Sequence, residues 1–442
     1  MAMSNRREQI PEDVPTSFAG YLRAWGPGIV VVLTWLGAGD LVDAAVAGST
    51  YGYDLMWALA GAILVRCTLV SCLARFVLCN PHGDSVMGGL QRVHRSLPII
   101  IGLCALPLGL LVVTVGVSGC AEATWFLVNQ TASRPLWAVL WTIVAILVLL
   151  WPKSQGIETI FKITLGILSA CLVGIAVWTT PCATCIAMGT LAFSLPPDRG
   201  ALDALLVVLS LIGAVGGSFA NLFYPYYIAE KGWNRPQYLP VQRFDLWLSV
   251  VVLIVLDLSV WITGAEILKP QGLHVADTEG LAQILGQTLG WAGQQFFYVS
   301  LLAAVFTTIV GTAMGMSHLL IDCYSTVFPG HGGESKRPVP SAHPAYKGLC
   351  VAFCVGACLL ALNRSLPFVP FVVLVNAALI FFVPLLTAAI WYLTTRHALI
   401  GRAYSNRWWE HAVLAALFIG SVYAVVTRGP EISRQLYELM FG

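Results

Sequence analysis

The sequence predicts an all-α polytopic membrane protein of eleven transmembrane helices, arranged as a 5+5 inverted repeat in which helices 1 and 6 are broken. Three observations carry this. Of the 442 residues, 58% are hydrophobic and only 10% charged, where a soluble domain holds about 25% charged. Eleven apolar stretches are long enough to cross about 30 Å of hydrocarbon. The first and the sixth of them are interrupted by glycines beside polar residues. Such a pair, in corresponding places of two five-span halves, marks an inverted repeat. Residues 1–442 then form one membrane domain, with a first repeat over about 24–180, a second over about 202–395 and an additional helix over about 409–427.

The spans fall at 26–48, 52–79, 98–128, 135–151, 160–180, 202–229, 244–265, 291–325, 346–362, 367–395 and 409–427. Before them, Met1 to Tyr21 is polar and lacks an apolar core, so no cleavable signal is expected and the first span serves for insertion. That span starts at Gly26-Pro27-Gly28 and holds Gly37-Ala38-Gly39-Asp40, then Asp43. A carboxylate in mid-bilayer costs about 2.5–3.5 kcal/mol on insertion scales, and glycines beside it loosen the helix and free backbone carbonyls. An opened helix with an acid at its break is the outline of a cation site. The sixth span has Gly213, Gly216 and Gly217 ahead of Ser218 and Asn221, with Pro225 a turn later. Trp25, Trp57, Trp151, Trp233, Trp391, Trp408 and Trp409 stand at span ends, as interface anchors do.

Basic residues set the orientation. With the N-terminus cytoplasmic, Arg134, Arg199, Lys269, Arg364, Arg428 and Arg434 lie outside, Arg66 lies within a span, and all other Lys and Arg lie inside. Eleven spans then put the C-terminus outside, with the plasma membrane as the expected location. Most of the twelve cysteines sit singly in apolar spans and read as small buried hydrophobes. Cys182 and Cys185, in an outer loop, are either a disulfide or a redox pair. No Walker loop, enzymatic motif or clustered basic patch is present, so neither an enzyme nor a nucleic-acid binder is expected, and no ATPase subunit is required.

At this point the chain resembles the NRAMP divalent-metal transporters. Gly26-Pro27-Gly28 followed by Gly37 to Asp40 and by Ala47-Gly48 through Tyr51-Gly52-Tyr53 is similar to that family's first helix. Ser300 through Gly315 to Asp322 is similar to its eighth, and Asn376 with Phe382-Val383-Pro384 to its tenth. The resemblance implies a leucine-transporter-like fold and a divalent-metal site. The departures fall on the site. The family's Asp-Pro-Gly-Asn maps onto Gly37, Ala38, Gly39 and Asp40, so the carboxylate has moved by about one turn. Where the family has Met-Pro-His, this chain has Gly217, Ser218, Phe219, Ala220 and Asn221, without sulfur. The family's tenth-helix glutamine falls at Asn376. Acidic residues of its third helix are missing, with Glu122 out of register. Loss of a thioether removes preference for softer ions, and a roomy all-oxygen site suits partly hydrated Mg²⁺. This pattern is similar to the NRAMP-related magnesium transporters, which implies import of Mg²⁺, and also Mn²⁺, by alternating access without proton coupling.

The expected metal site is Asp40, Gly37, Asp43, Gly217, Ser218, Ala220, Asn221 and Asn376, holding a transported ion and no cofactor. Each has a plainer reading. Asp40 is alternatively a helix cap or salt-bridge partner, Asp43 a partner for Arg66, and Ser218 and Asn221 interhelical hydrogen-bonders. Asp203, Asp245, Glu266, Asp277 and Asp322 read as interfacial, His318 as a satisfied polar contact, and Asp257 has no assigned role. The partners expected are divalent metal ions and the lipid bilayer, with the chain a monomer. Rival functions are a proton-coupled Mn²⁺/Fe²⁺ symporter, a sodium-coupled amino-acid carrier of the same fold and a non-transporting sensor.

Overall fold

The structure is a computed structural model that describes residues 14–15, 17–35, 38–151, 163, 166–167, 169–170, 172–199, 202–328, 340–363 and 367–441. Among the described residues it is helical, with a lone bridge between Arg199 and Leu202 and no longer strand. Six helices are long and apolar enough to cross a membrane, or eight if two bent pairs each count as one span, and Arg134–Leu150 and Tyr346–Leu362 are shorter apolar helices. Length and hydropathy thus do not reach eleven. The first span is described as two short helices on either side of residues 36–37, which lie outside the described residues, as do residues 160–162, 164–165, 168 and 171 of the fifth.

Helix α1 (Pro27–Trp35) and helix α2 (Ala38–Tyr51) make up the first span. Leu36 and Gly37, where the interruption was expected, lie outside the described residues. The start of α1 explains its Gly-Pro-Gly. Pro27 has no N–H to satisfy at a helix start, while the N–H groups of Gly26 and Gly28 donate to the Asp245 carboxylate at 3.2 and 2.9 Å. A Cβ on Gly28 would sit 2.6 Å from Asp245 Oδ2 and would also strike Ser249 Oγ. Asp245 was expected at the interface; it is instead buried, because it caps a helix from another part of the chain and accepts from Tyr224 Oη.

Helices α3 (Met56–Cys79), α4 (Leu97–Leu127) and α5 (Arg134–Leu150) follow. After the fifth span, Cys182 and Cys185 form a disulfide at the start of a short helix, Ala183–Leu191, where a loop was expected.

The sixth span is broken as its glycines predict. Helix α6 (Ala204–Leu211) is capped by Asp203, then widens into a π-turn at Ile212–Gly216. Ser218 is extended, a 3-10 turn covers Phe219–Leu222, and helix α7 (Tyr224–Glu230) resumes with Pro225 in its first turn.

Helix α8 (Leu239–Thr263) packs on α2 and α3. Helix α9 (Thr278–Val327) is kinked at Gly290, which has φ 64°, and packs along α4. Gly109 and Gly116 of α4 meet Met316 and Ile309 of α9 without room for a side chain, the close approach that small residues allow between membrane helices. Helix α10 (Tyr346–Asn363) leads to the tenth span, which was expected to be continuous. It is two pieces, α11 (Phe368–Ala378) and α12 (Val383–Thr395), bent by 45° ahead of Pro384. Helix α13 (Trp408–Phe441) is longer than the 409–427 expected.

Candidate cation site

Asp40 lies in the first turn of α2, where the helix N-terminus favours an acid. It is 2% exposed. Its partner is Arg66 of α3, which is fully buried, with Nη1 2.9 Å from Asp40 Oδ2. The same guanidinium donates from Nε to the Val215 carbonyl at 2.6 Å and from Nη2 to the Ala214 carbonyl at 2.8 Å. Both carbonyls belong to the π-turn of the sixth span. A positive group therefore sits between the acid of the first span and the freed carbonyls of the sixth. Here that positive group is a side chain of the protein itself.

Asp43, one turn further along α2, accepts from Ser210 Oγ at 2.6 Å and from Asn376 Nδ2 at 3.0 Å, and is fully buried. Arg66 thus pairs with Asp40 and not with Asp43. Asn376 turns its amide nitrogen toward Asp43, where its oxygen was the expected donor. Two glycines let Asn376 in this close. A Cβ on Gly39 would lie 3.1 Å from the Asn376 amide nitrogen, and one on Gly213 would strike the Asn376 carbonyl.

The other expected residues divide. Asn221 is fully buried at the break, donating to the Gly216 carbonyl at 2.9 Å while its Oδ1 has no hydrogen-bond partner. Ser218 Oγ accepts from the Ala220 N–H at 3.2 Å, a local turn cap. Ala220 is buried in that turn, and Gly217 is held against Val383 with no space for a Cβ. Gly37 lies outside the described residues. The structure brings together Asp40, Asp43, Asn376 and the break that holds Asn221. Among the described residues, no group of three or more His, Cys, Asp or Glu side chains is placed to hold a metal ion.

Two residues of the site were missed. Arg66 stands in the middle of an apolar span, where a buried cation demands an acceptor; that demand was readable, but not which acid answers it. Asp257 of α8 is fully buried with neither carboxylate oxygen hydrogen-bonded, within electrostatic reach of Asp40, Arg66 and Asp43. Two more acids are buried, Asp322 against the interfacial reading. Asp322 is buried and accepts from Ser85 Oγ at 2.6 Å and Tyr226 Oη at 3.0 Å. Glu122 lies buried 4.0 Å from Arg134. His318 was expected to be a satisfied polar contact and is only half so: Nε2 lies 3.0 Å from Glu230 Oε1, the ring packs among Tyr226, Tyr227 and Tyr346, and Nδ1 is buried without a hydrogen-bond partner.

Hydrogen bonds tie distant segments together toward both ends of the first span. At the end where α1 begins, Asp245 ties Gly26, Gly28 and Tyr224 together, and Asp322 ties Ser85 to Tyr226. At the opposite end, Tyr51 Oη donates to the Leu202 carbonyl at 2.7 Å and Tyr53 Oη to Glu266 at 2.8 Å.

The sequence model of one family, Nramp (natural resistance-associated macrophage protein-like), matches residues 28–427. A Populus trichocarpa protein named metal transporter Nramp6.1 is 24% identical over 207 residues, which are 46% of this chain and 36% of that protein. The chain thus spans about a third of the length of that curated relative. A crystal structure of the Eremococcus coleocola manganese transporter matches with a TM-score of 0.76 at 16% identity, over 99% of this chain and 95% of that one. The crystal structure of MhsT in complex with L-phenylalanine matches with a TM-score of 0.53 at 15% identity, over 90% of this chain and 96% of that one. These likenesses are of fold, and they bear out the leucine-transporter-like architecture expected from the two interrupted spans.

Proposed function

Because the chain belongs to the Nramp family, we propose that it carries a hard divalent cation, Mg²⁺ foremost and Mn²⁺ beside it, across a membrane by alternating access. The observation that carries this reading is the set of oxygens gripping Arg66: one carboxylate oxygen of Asp40 and the carbonyls of Ala214 and Val215. The acid of the first span and the unwound turn of the sixth converge there on a positive group with oxygen alone. Around it, Asp40 Oδ1 and Asn221 Oδ1 are buried without hydrogen-bond partners. Mg²⁺ takes oxygen ligands, keeps part of its water and is held by one or two carboxylates. Softer ions gain nothing from this set, because its members are oxygens and include no thioether. The volume of a guanidinium, once vacated, suits an ion that keeps part of its hydration.

Transport runs inward without proton coupling in this reading. Helix α4 carries no acid before Glu122, and Glu122 is itself occupied by Arg134. An inside-negative membrane potential supplies about 2.3 kcal/mol per charge per 100 mV, twice over for a divalent ion. The chain sits as a monomer in the plasma membrane, N-terminus cytoplasmic and C-terminus outside.

The test is metal uptake into proteoliposomes across Mg²⁺, Mn²⁺, Ca²⁺ and Cd²⁺, with internal pH followed. Mg²⁺ and Mn²⁺ uptake at constant internal pH is expected. Acidification that accompanies Mn²⁺ entry would establish the proton-coupled symporter instead. A second reading draws on the completeness of the Arg66 contacts: a carrier of the same fold whose cation place is permanently filled, moving an amino acid. Saturable amino-acid uptake indifferent to Mg²⁺ would establish that one.

A further inference from the structure

Asp257 belongs to no reading given so far, and it stands within electrostatic reach of Arg66. Asp257 is the anomaly: a carboxylate with no exposure and neither oxygen hydrogen-bonded. Such a group is costly unless something pairs with it in another state. Its helix packs on both α2 and α3, the helices of Asp40 and Arg66, and those two residues and Asp43 are the charges that act on it. Arg66, for its part, occupies the acceptors a hard cation needs. While its guanidinium bonds Asp40 Oδ2, Ala214 O and Val215 O, no ion reaches those three oxygens.

We propose that Arg66 is a tethered competitor for the transported cation, and that Asp257 receives its guanidinium when an ion takes Asp40. This rests on the cation-transport reading. In the state seen here the guanidinium neutralises Asp40 and Asp257 waits unpaired. When the divalent ion arrives, Arg66 releases its three oxygens to the ion and swings to Asp257, so the displaced charge stays paired inside the protein. Asp257 is then a positioning residue. It acts on the ion by giving Arg66 somewhere to go, not by touching the ion.

The hand-over is tested by Mg²⁺ binding to the purified full chain, measured calorimetrically, with uptake in proteoliposomes alongside. In Asp257→Asn, Arg66 loses its receiving station and Mg²⁺ binding weakens by about tenfold or more. In Arg66→Ala the competitor is gone and binding tightens by about tenfold. The decisive arm is the double variant. With no guanidinium to receive, Asp257→Asn adds nothing, and the double variant binds as Arg66→Ala does. If Asp257→Asn weakens binding equally in both backgrounds, Asp257 is a direct ligand and the proposal falls. If Arg66→Ala is not monodisperse, Arg66→Lys is read instead. Its ammonium lacks the planar fork, so tighter Mg²⁺ binding than wild type is expected, and unchanged or weaker binding overturns the proposal. Wild-type protein that moves neither Mg²⁺ nor Mn²⁺ removes the transport reading and the hand-over with it. Wild-type transport with additive effects of the two single variants removes the hand-over alone.

Discussion

Arg66 enters an apolar span with no acid within a turn of it along the chain, and its bonds to Asp40, Ala214 and Val215 go to residues far away in sequence. This is where residue-level reading stops. A buried guanidinium announces that it has a carboxylate, but Asp43 was the partner suggested for it, and helix packing chose Asp40. Asp40 was legible as the acid at a break. Its pairing was not, and neither was Asn376 turning its nitrogen to Asp43. The pairing has a measurable consequence. Asp40→Ala removes one partner of a buried ion pair, a change that costs about 3–5 kcal/mol, so the variant loses both Mg²⁺-dependent uptake and thermal stability in detergent. Undiminished uptake by that variant would move the site elsewhere. Adding Arg66→Met to Asp40→Ala removes the stranded charge as well, and is expected to restore much of the melting temperature without restoring uptake.

The elements that position the site were more legible than its contacts. Gly213, Gly216 and Gly217 announced the break of the sixth span, and the chain widens and unwinds there. Gly26-Pro27-Gly28 announced the start of the first. What fixes that start is Asp245, about 220 residues on along the sequence, and no local pattern reveals such a cap. The bend of the tenth span was signalled by Pro384 but hidden inside an unbroken apolar run. Two substitutions test these elements. Gly28→Ala drives a methyl group into Asp245 and Ser249, and overpacking of this kind costs about 1–3 kcal/mol; a lowered melting temperature is the expected reading. Gly213→Ala pushes the sixth span off the Asn376 carbonyl. It is expected to lower Mg²⁺ affinity more than it lowers stability, because Asn376 is held against Asp43 across the same contact.

For the whole molecule, composition and the spacing of apolar runs were enough for an all-helical membrane fold, because lipid offers the backbone no hydrogen bonds of its own. The ties between distant segments at each end were not readable. Asp322 was expected at an interface, yet it draws Ser85 and Tyr226 inward, contacts that exist only once three distant segments meet. These ties hold the segments of that end together, and loosening one is expected to expose what they cover. Asp322→Ala is expected to expose neighbouring Cys323, 6% exposed here, to maleimide labelling mapped by mass spectrometry. Labelling unchanged from wild type would mean that Asp322 holds no gate.

The Arg66–Asp40 pair also bears on the half of the cycle in which nothing is carried. A protein that must find cargo before it can turn round only swaps one ion for another across the bilayer. One that brings its own ballast to the acid turns round light, and its journeys add up to net import.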